Sequence, residues 1–153
     1  MAIDIPDHWK DQVRRIFPQL LEGANFEFTS EVDFNYNCFA WALSYSDKYF
    51  ANAKGSHWPW KELSDSTVEG YVGVCELHGF APSESDGFKP GYEKIAIFED
   101  EEGISHACRT DRIGRWKSKL GVGPDIDHDT LSDLGDTYGR VVKILEKRRA
   151  DWD

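Results

Sequence analysis

Apolar residues recur at helical spacing three times along the chain. Trp9, Val13, Ile16 and Phe17 predict a first helix over about residues 8–17, with Asp7 able to cap it and Pro18 ending it. Phe39, Ala42 and Leu43 predict a second, running from Cys38 to about Tyr45 or Asp47, with Asp33 or Asn35 as cap. Val68, Tyr71, Val72 and Cys75 predict a third, opened by the capping-box pattern Ser66-Thr67-Val68-Glu69 and closed near Leu77 by Gly79. The period then changes to two. Residues 92–99, 105–110 and 115–120 read as strands separated by turns at 100–103 and 112–114, which is an antiparallel meander. Alternation puts Ile104, His106 and Cys108 on one face of the middle strand and Ser105, Ala107 and Arg109 on the other. Residues 138–145 are β-branched enough for a last strand, with a helix as the alternative, and Asp129 can cap a short helix over 130–134. Glu27-Phe28-Thr29 is a short extended piece. Residues 48–65 and 81–91 read as loops, 121–124 as a break and 146–153 as a charged tail.

These elements predict an α+β class. An antiparallel sheet of about four or five strands packs against the N-terminal helix that bears Cys38. At 153 residues the chain is long enough for one domain with a real core. A hydrophobic content of 40% and an aromatic content of 14% exclude a disordered chain. The net charge of −10 argues against electrostatic binding to nucleic acid or anionic lipid, despite local basic clusters at Arg14-Arg15 and Lys147-Arg148-Arg149. The three cysteines, an odd number with no CxxC pair, point away from a disulfide framework and toward a reducing compartment. No basic-then-apolar leader opens the chain, and no apolar run nears the roughly 20 residues of a membrane span. The expected location is cytoplasmic, with signal-free export left open. The oligomeric state is not legible.

Chemistry concentrates on Cys38. A thiol in the first turn of a helix lies near the positive end of the helix dipole, which favours the nucleophilic thiolate. About 70 residues on, His106 lies on a strand. A cysteine opening a buried helix and faced by a sheet histidine is the arrangement of papain-like and transglutaminase-like enzymes. The same pattern also fits a packed core thiol and a hydrogen-bonded core histidine. Cys75 reads as core. His57-Trp58-Pro59-Trp60 either covers the core or walls a cleft, with Trp58 and Trp60 as ligand contacts. Cys38, His106, Cys108 and His128 lack chelating spacing, so neither a metal nor another cofactor is expected.

The chain resembles a family of uncharacterised bacterial domains. The resemblance rests on Asn37-Cys38-Phe39-Ala40-Trp41-Ala42, on Lys94-Ile95-Ala96-Ile97 followed by Ser105-His106-Ala107, and on Ser118-Lys119-Leu120-Gly121. Trp58-Pro59, Asp125-Ile126-Asp127-His128 and Tyr138-Gly139 also fit. It spans residues 33–148, and serine stands before the histidine where the family often has threonine. It implies a papain-like core with a Cys–His thiol site, related to cysteine hydrolases such as wall amidases and to transglutaminases. Cys38 would attack a carbonyl carbon while His106 moves the proton. Ser118 would orient the ring, with Asp125, Asp127 and His128 as rivals. The Cys38 amide with Asn37 or Tyr36 would meet the oxyanion, and His128 would be among the substrate contacts. The expected activity is peptidase, amidase, deamidase or transglutaminase on a protein or peptide amide. The alternative is a non-catalytic binding or immunity-type protein on the same fold, whose acidity suits a basic partner.

Overall fold

The computed structural model describes residues 3–121 and 123–152 and sets the predicted meander inside a larger sheet. Its helices are α1 (Asp7–Ile16), α2 (Cys38–Ala42) and α3 (Val68–Leu77). Its strands are β1 (Phe26–Phe28), β2 (Ala81–Ser83), β3 (Tyr92–Asp100), β4 (Gly103–Thr110), β5 (Trp116–Lys119), β6 (Asp125–His128) and β7 (Arg140–Arg148). Single 3₁₀ turns cover Leu131–Leu134 and Ala150–Trp152. The seven strands form one sheet in the order β1-β6-β5-β4-β3-β7-β2, and each neighbouring pair is antiparallel. The class is α+β, with more strands than the four or five expected.

The two added strands hide in sequence for physical reasons. β2 was expected to be loop because it contains Pro82. It is an edge strand bonded to β7 alone, where a missing N–H is tolerated. β6 follows the break at 121–124, and its two aspartates disfavour a strand. Its Asp-Ile-Asp-His alternation points two carboxylates to one face and Ile126 with His128 to the other.

Register sorts the core into two layers. Ile95, Ile97, Ala107 and Leu145 face α2, α3 and the aromatic segment around Trp58 and Trp60. Ala96, Phe98, Cys108, Trp116 and Ile126 face α1 together with Leu131 and Leu134. A bulge corrects the expected alternation in β4. His106 opposes Phe98, but Ile104 already opposes Glu99, so Ser105 is the extra residue. Ile104 therefore packs on the α2–α3 side while His106 and Cys108 lie together on the other.

The helix ends also differ from expectation. Asn37 caps α2, its Oδ1 accepting from the Ala40 amide at 3.1 Å, while Asp33 instead closes a turn by accepting from the Asn35 amide. Ser44, at a φ of 70°, stops α2 after five residues. Thr67, one residue later than expected, caps α3 by accepting from Gly70 at 3.1 Å, so the Ser66–Glu69 box does not form. A Cβ at Gly70 would lie 1.9 Å from the Ser64 carbonyl oxygen, so only glycine admits this approach. The Tyr71 hydroxyl donates to the Phe39 carbonyl at 2.7 Å and ties α3 to α2. No helix among the described residues is long and apolar enough to cross a membrane.

A buried thiol and imidazole as the candidate site

Cys38 lies where β4 and β5 part. Their pairing covers Arg109 with Lys117 and Thr110 with Trp116, and goes no further. In the gap, the backbone amide of Ala107 lies near enough to the Cys38 sulfur to favour its anion, as do those of Phe39 and Cys38 itself. The Ala107 amide belongs to the peptide that joins it to His106. The thiol is therefore one peptide group away from the backbone of the histidine.

His106 is fully buried on β4 and is held from one side only. Its Nε2 lies 3.1 Å from the Ser118 hydroxyl on β5, and that hydroxyl lies 2.8 Å from His128 Nε2 on β6. His128 Nδ1 lies 2.9 Å from the Thr130 carbonyl. A carbonyl can only accept, so His128 carries its proton on Nδ1 and leaves Nε2 as an acceptor. Ser118 must then donate to His128 and can only accept from His106. His106 consequently carries its proton on Nε2, and its Nδ1 is a bare lone pair. That Nδ1 is buried and has no hydrogen-bond partner. The polarity of the whole chain is set by one carbonyl, three hydrogen bonds away from the base it prepares. Tyr138 covers the ring from the other face, stacked at 4.1 Å between centroids and 5° between planes.

Burial sets the charge states. The Cys38 thiol is pushed up to about 11, chiefly by burial, against the pull of the three amides and Lys119. This reverses the depressed thiol expected from a helix start. A five-residue helix carries little dipole, and desolvation outweighs it. The His106 imidazole is pushed down to about 3 by burial, then by His128. His128 is also held below its usual range by burial. The resting pair is a neutral thiol and a neutral imidazole. Cys75 and Cys108 are buried thiols pushed well up by desolvation.

The other expected site residues divide. Ser118 and His128 join His106 in one chain, with His128 at its inner end and fully buried. Tyr36 donates its hydroxyl to Asp125 Oδ2 at 2.7 Å, and Lys119 lies 4.5 Å over its ring. Asn37 uses both ends of its amide in structure, accepting from Ala40 and Phe50 and donating to the Phe50 carbonyl. Trp58 and Trp60 pack on each other and on Phe50, with Trp58 Nε1 donating to the Leu63 carbonyl at 2.8 Å. They cover the α2–α3 core. Asp127 pairs with Arg115 at 3.1 Å. Tyr138, the Thr130 carbonyl and the Ala107 amide were not expected in the site. Only Tyr138 left a trace in sequence, as an aromatic residue between Gly135 and Gly139.

What these features define is an α+β domain built over an enclosed cysteine and a hydrogen-bonded histidine. The chain belongs to the family described as Domain of unknown function (DUF7689), whose model matches residues 27–146. That span takes in α2, α3 and most of the sheet, and leaves α1 outside. No curated protein and no solved structure matches the chain.

Proposed function

We propose that the chain is a thiol-dependent acyl-transfer enzyme of papain-like arrangement, acting on a peptide or protein amide. The observation that carries this reading is the bare, unpartnered Nδ1 of the buried His106 ring, fixed in one tautomer by Ser118, with the Cys38 sulfur near the amide of the next residue, Ala107. A core histidine with no function has no reason to keep its basic nitrogen buried without a partner, at a cost of roughly 1–3 kcal/mol. In this reading Cys38 passes its proton to His106 Nδ1, and its sulfur bonds to the carbonyl carbon. The C–N bond breaks and the leaving amine takes the proton from Nδ1. Water or an amine then attacks the thioester, gives its proton to Nδ1, and the sulfur leaves and is reprotonated. Ser118 is a positioning residue that holds the ring and its tautomer. The Cys38 amide remains for the oxyanion, and Trp41 Nε1, buried without a partner three residues further along the same helix, is an uncommitted donor. The whole chain is read as one domain about this site.

A second reading has its own support. Both groups are neutral and buried, which suits a non-catalytic binding or immunity-type protein whose Cys38 and His106 merely fill space. Its acidic surface would meet a basic partner. One experiment separates the two. Purified protein is treated with p-nitrophenyl acetate, and acetylation is mapped by peptide mass. The enzyme reading expects acetyl transfer at Cys38, lost in Cys38→Ala and slowed by about 100-fold or more in a folded His106→Ala. No transfer to Cys38, or equal labelling of Cys75 and Cys108, would leave the binding reading in its place.

A further inference from the structure

An apolar groove runs from the surface to the ring that covers His106. It lies between α1 and the turn after β5, and is lined by Trp9, Val13, Phe17, Leu120, Pro124 and Tyr138 among others. In a chain with 30% charged residues, no described lining residue is charged. Its volume is about 220 Å³. That is below the roughly 300–1,000 Å³ of a site for a whole drug-sized ligand. The groove therefore has room for one apolar group of side-chain size. Tyr138 belongs to both places: it lines the groove and stacks on His106 at 4.1 Å. Tyr138 also lies on a turn between Gly135 and Gly139, at φ 62° and 85°. A larger groove of about 800 Å³, rimmed by Glu99, Asp100, Glu101, Glu102 and Asp136, shares no residue with the thiol or the histidine chain.

We propose that this α1 groove is the acyl subsite of the Cys38–His106 site, taking an uncharged aliphatic or aromatic group attached to the carbonyl that Cys38 attacks, with Tyr138 as the cover displaced when it fills. The inference rests on the enzyme reading above and names its substrate class: acyl groups with an apolar side chain, and not carboxylate- or ammonium-bearing ones. It also gives α1 a function, although α1 lies outside the matched family span. The acyl carbon bonds to the Cys38 sulfur, the leaving group departs with its electron pair, and the thiol proton passes to His106 Nδ1.

The test compares p-nitrophenyl 3-phenylpropionate with p-nitrophenyl acetate, each rate divided by that of free cysteine. The phenylpropionyl ester should acylate Cys38 about tenfold or more faster, the discrimination a buried apolar group gives. Ile16→Asp and Gln12→Trp, both at exposed rim positions, should bring the ratio toward one. A ratio near one in the unaltered protein, or a ratio that survives both variants, overturns the groove assignment. A second arm needs no chemistry. Titration with 3-phenylpropionamide should shift the Trp9 indole resonance, assigned with Trp9→Phe, saturably in the native protein and in Cys38→Ala, but not in Ile16→Asp. A saturable shift without any acylation would count against the enzyme reading alone. Acylation without the shift would count against the groove alone.

Discussion

Replacing Ser118 with alanine removes one oxygen and cuts the histidine chain at its middle. Ser118 is fully buried, donates to His128 Nε2 at 2.8 Å and accepts from His106 Nε2 at 3.1 Å. In Ser118→Ala the His106 N–H and the His128 lone pair are both left without partners in the core. Each such group costs roughly 1–3 kcal/mol, so the variant should lose about 4 kcal/mol. Urea unfolding measures that loss directly, provided the slope is unchanged. A second readout addresses the chain itself. Long-range ¹⁵N–¹H correlation spectra distinguish protonated from bare ring nitrogens. In the native protein His106 should carry its proton on Nε2 and His128 on Nδ1, and in Ser118→Ala the His106 tautomer should no longer be fixed. A native His106 protonated on Nδ1 would refute the derivation of the bare base. So would a Ser118→Ala protein within about 0.5 kcal/mol of the native one, the range of an ordinary surface change.

Two further outcomes follow from other parts of the site. Asn37→Ala removes the acceptor for two amides and the donor to the Phe50 carbonyl, and should cost about 2–3 kcal/mol in thermal unfolding; a loss below about 1 kcal/mol would mean that α2 is held by packing alone. Acid should destabilise the protein through His106, because the unfolded chain binds a proton near pH 6.5 while the folded ring resists until about 3. The stability that His106 contributes is present above pH 6.5 and is lost as pH falls to 3, on the order of 5 kcal/mol in full. Urea titrations across that range should show a shallower fall in His106→Gln, and equal slopes would refute the assignment.

The meander was legible in sequence because three strand-length stretches are separated by short polar turns. The sequence concealed β2 and β6, where a proline and two aspartates mimic loop. His106 and Ser118 were legible as neighbours because adjacent strands of the meander bring them within reach. What was illegible was tertiary. The order of donors and acceptors through His128 depends on β6 pairing with β5, which loop-like residues disguised. The stacking of Tyr138 on His106 joins residues 32 positions apart through a turn. The bulge at Ser105 moved Ile104 across the sheet, which no alternation rule foresees. The thiol was misjudged because helix position was weighed without burial.

The neutral resting pair bears directly on how the proposed enzyme would work. Between a thiol pushed up to about 11 and an imidazole pushed down to about 3, proton transfer in the closed site is strongly unfavourable. Yet the first cause of both shifts is the same, and it is burial. Admitting a polar carbonyl and its hydration relaxes both at once, moving the thiol toward its ordinary value of 9.0 and the imidazole toward 6.5. The two values approach each other from opposite sides, so a single opening gains twice. The amides around the sulfur and Lys119 already favour the anion and need no rearrangement. Meanwhile the Ser118–His128–Thr130 chain keeps the bare nitrogen of His106 bare. In the proposed enzyme, such a site would be inert while Tyr138 covers His106 and would become reactive only when filled, which would spare the buried thiol from adventitious alkylation and oxidation.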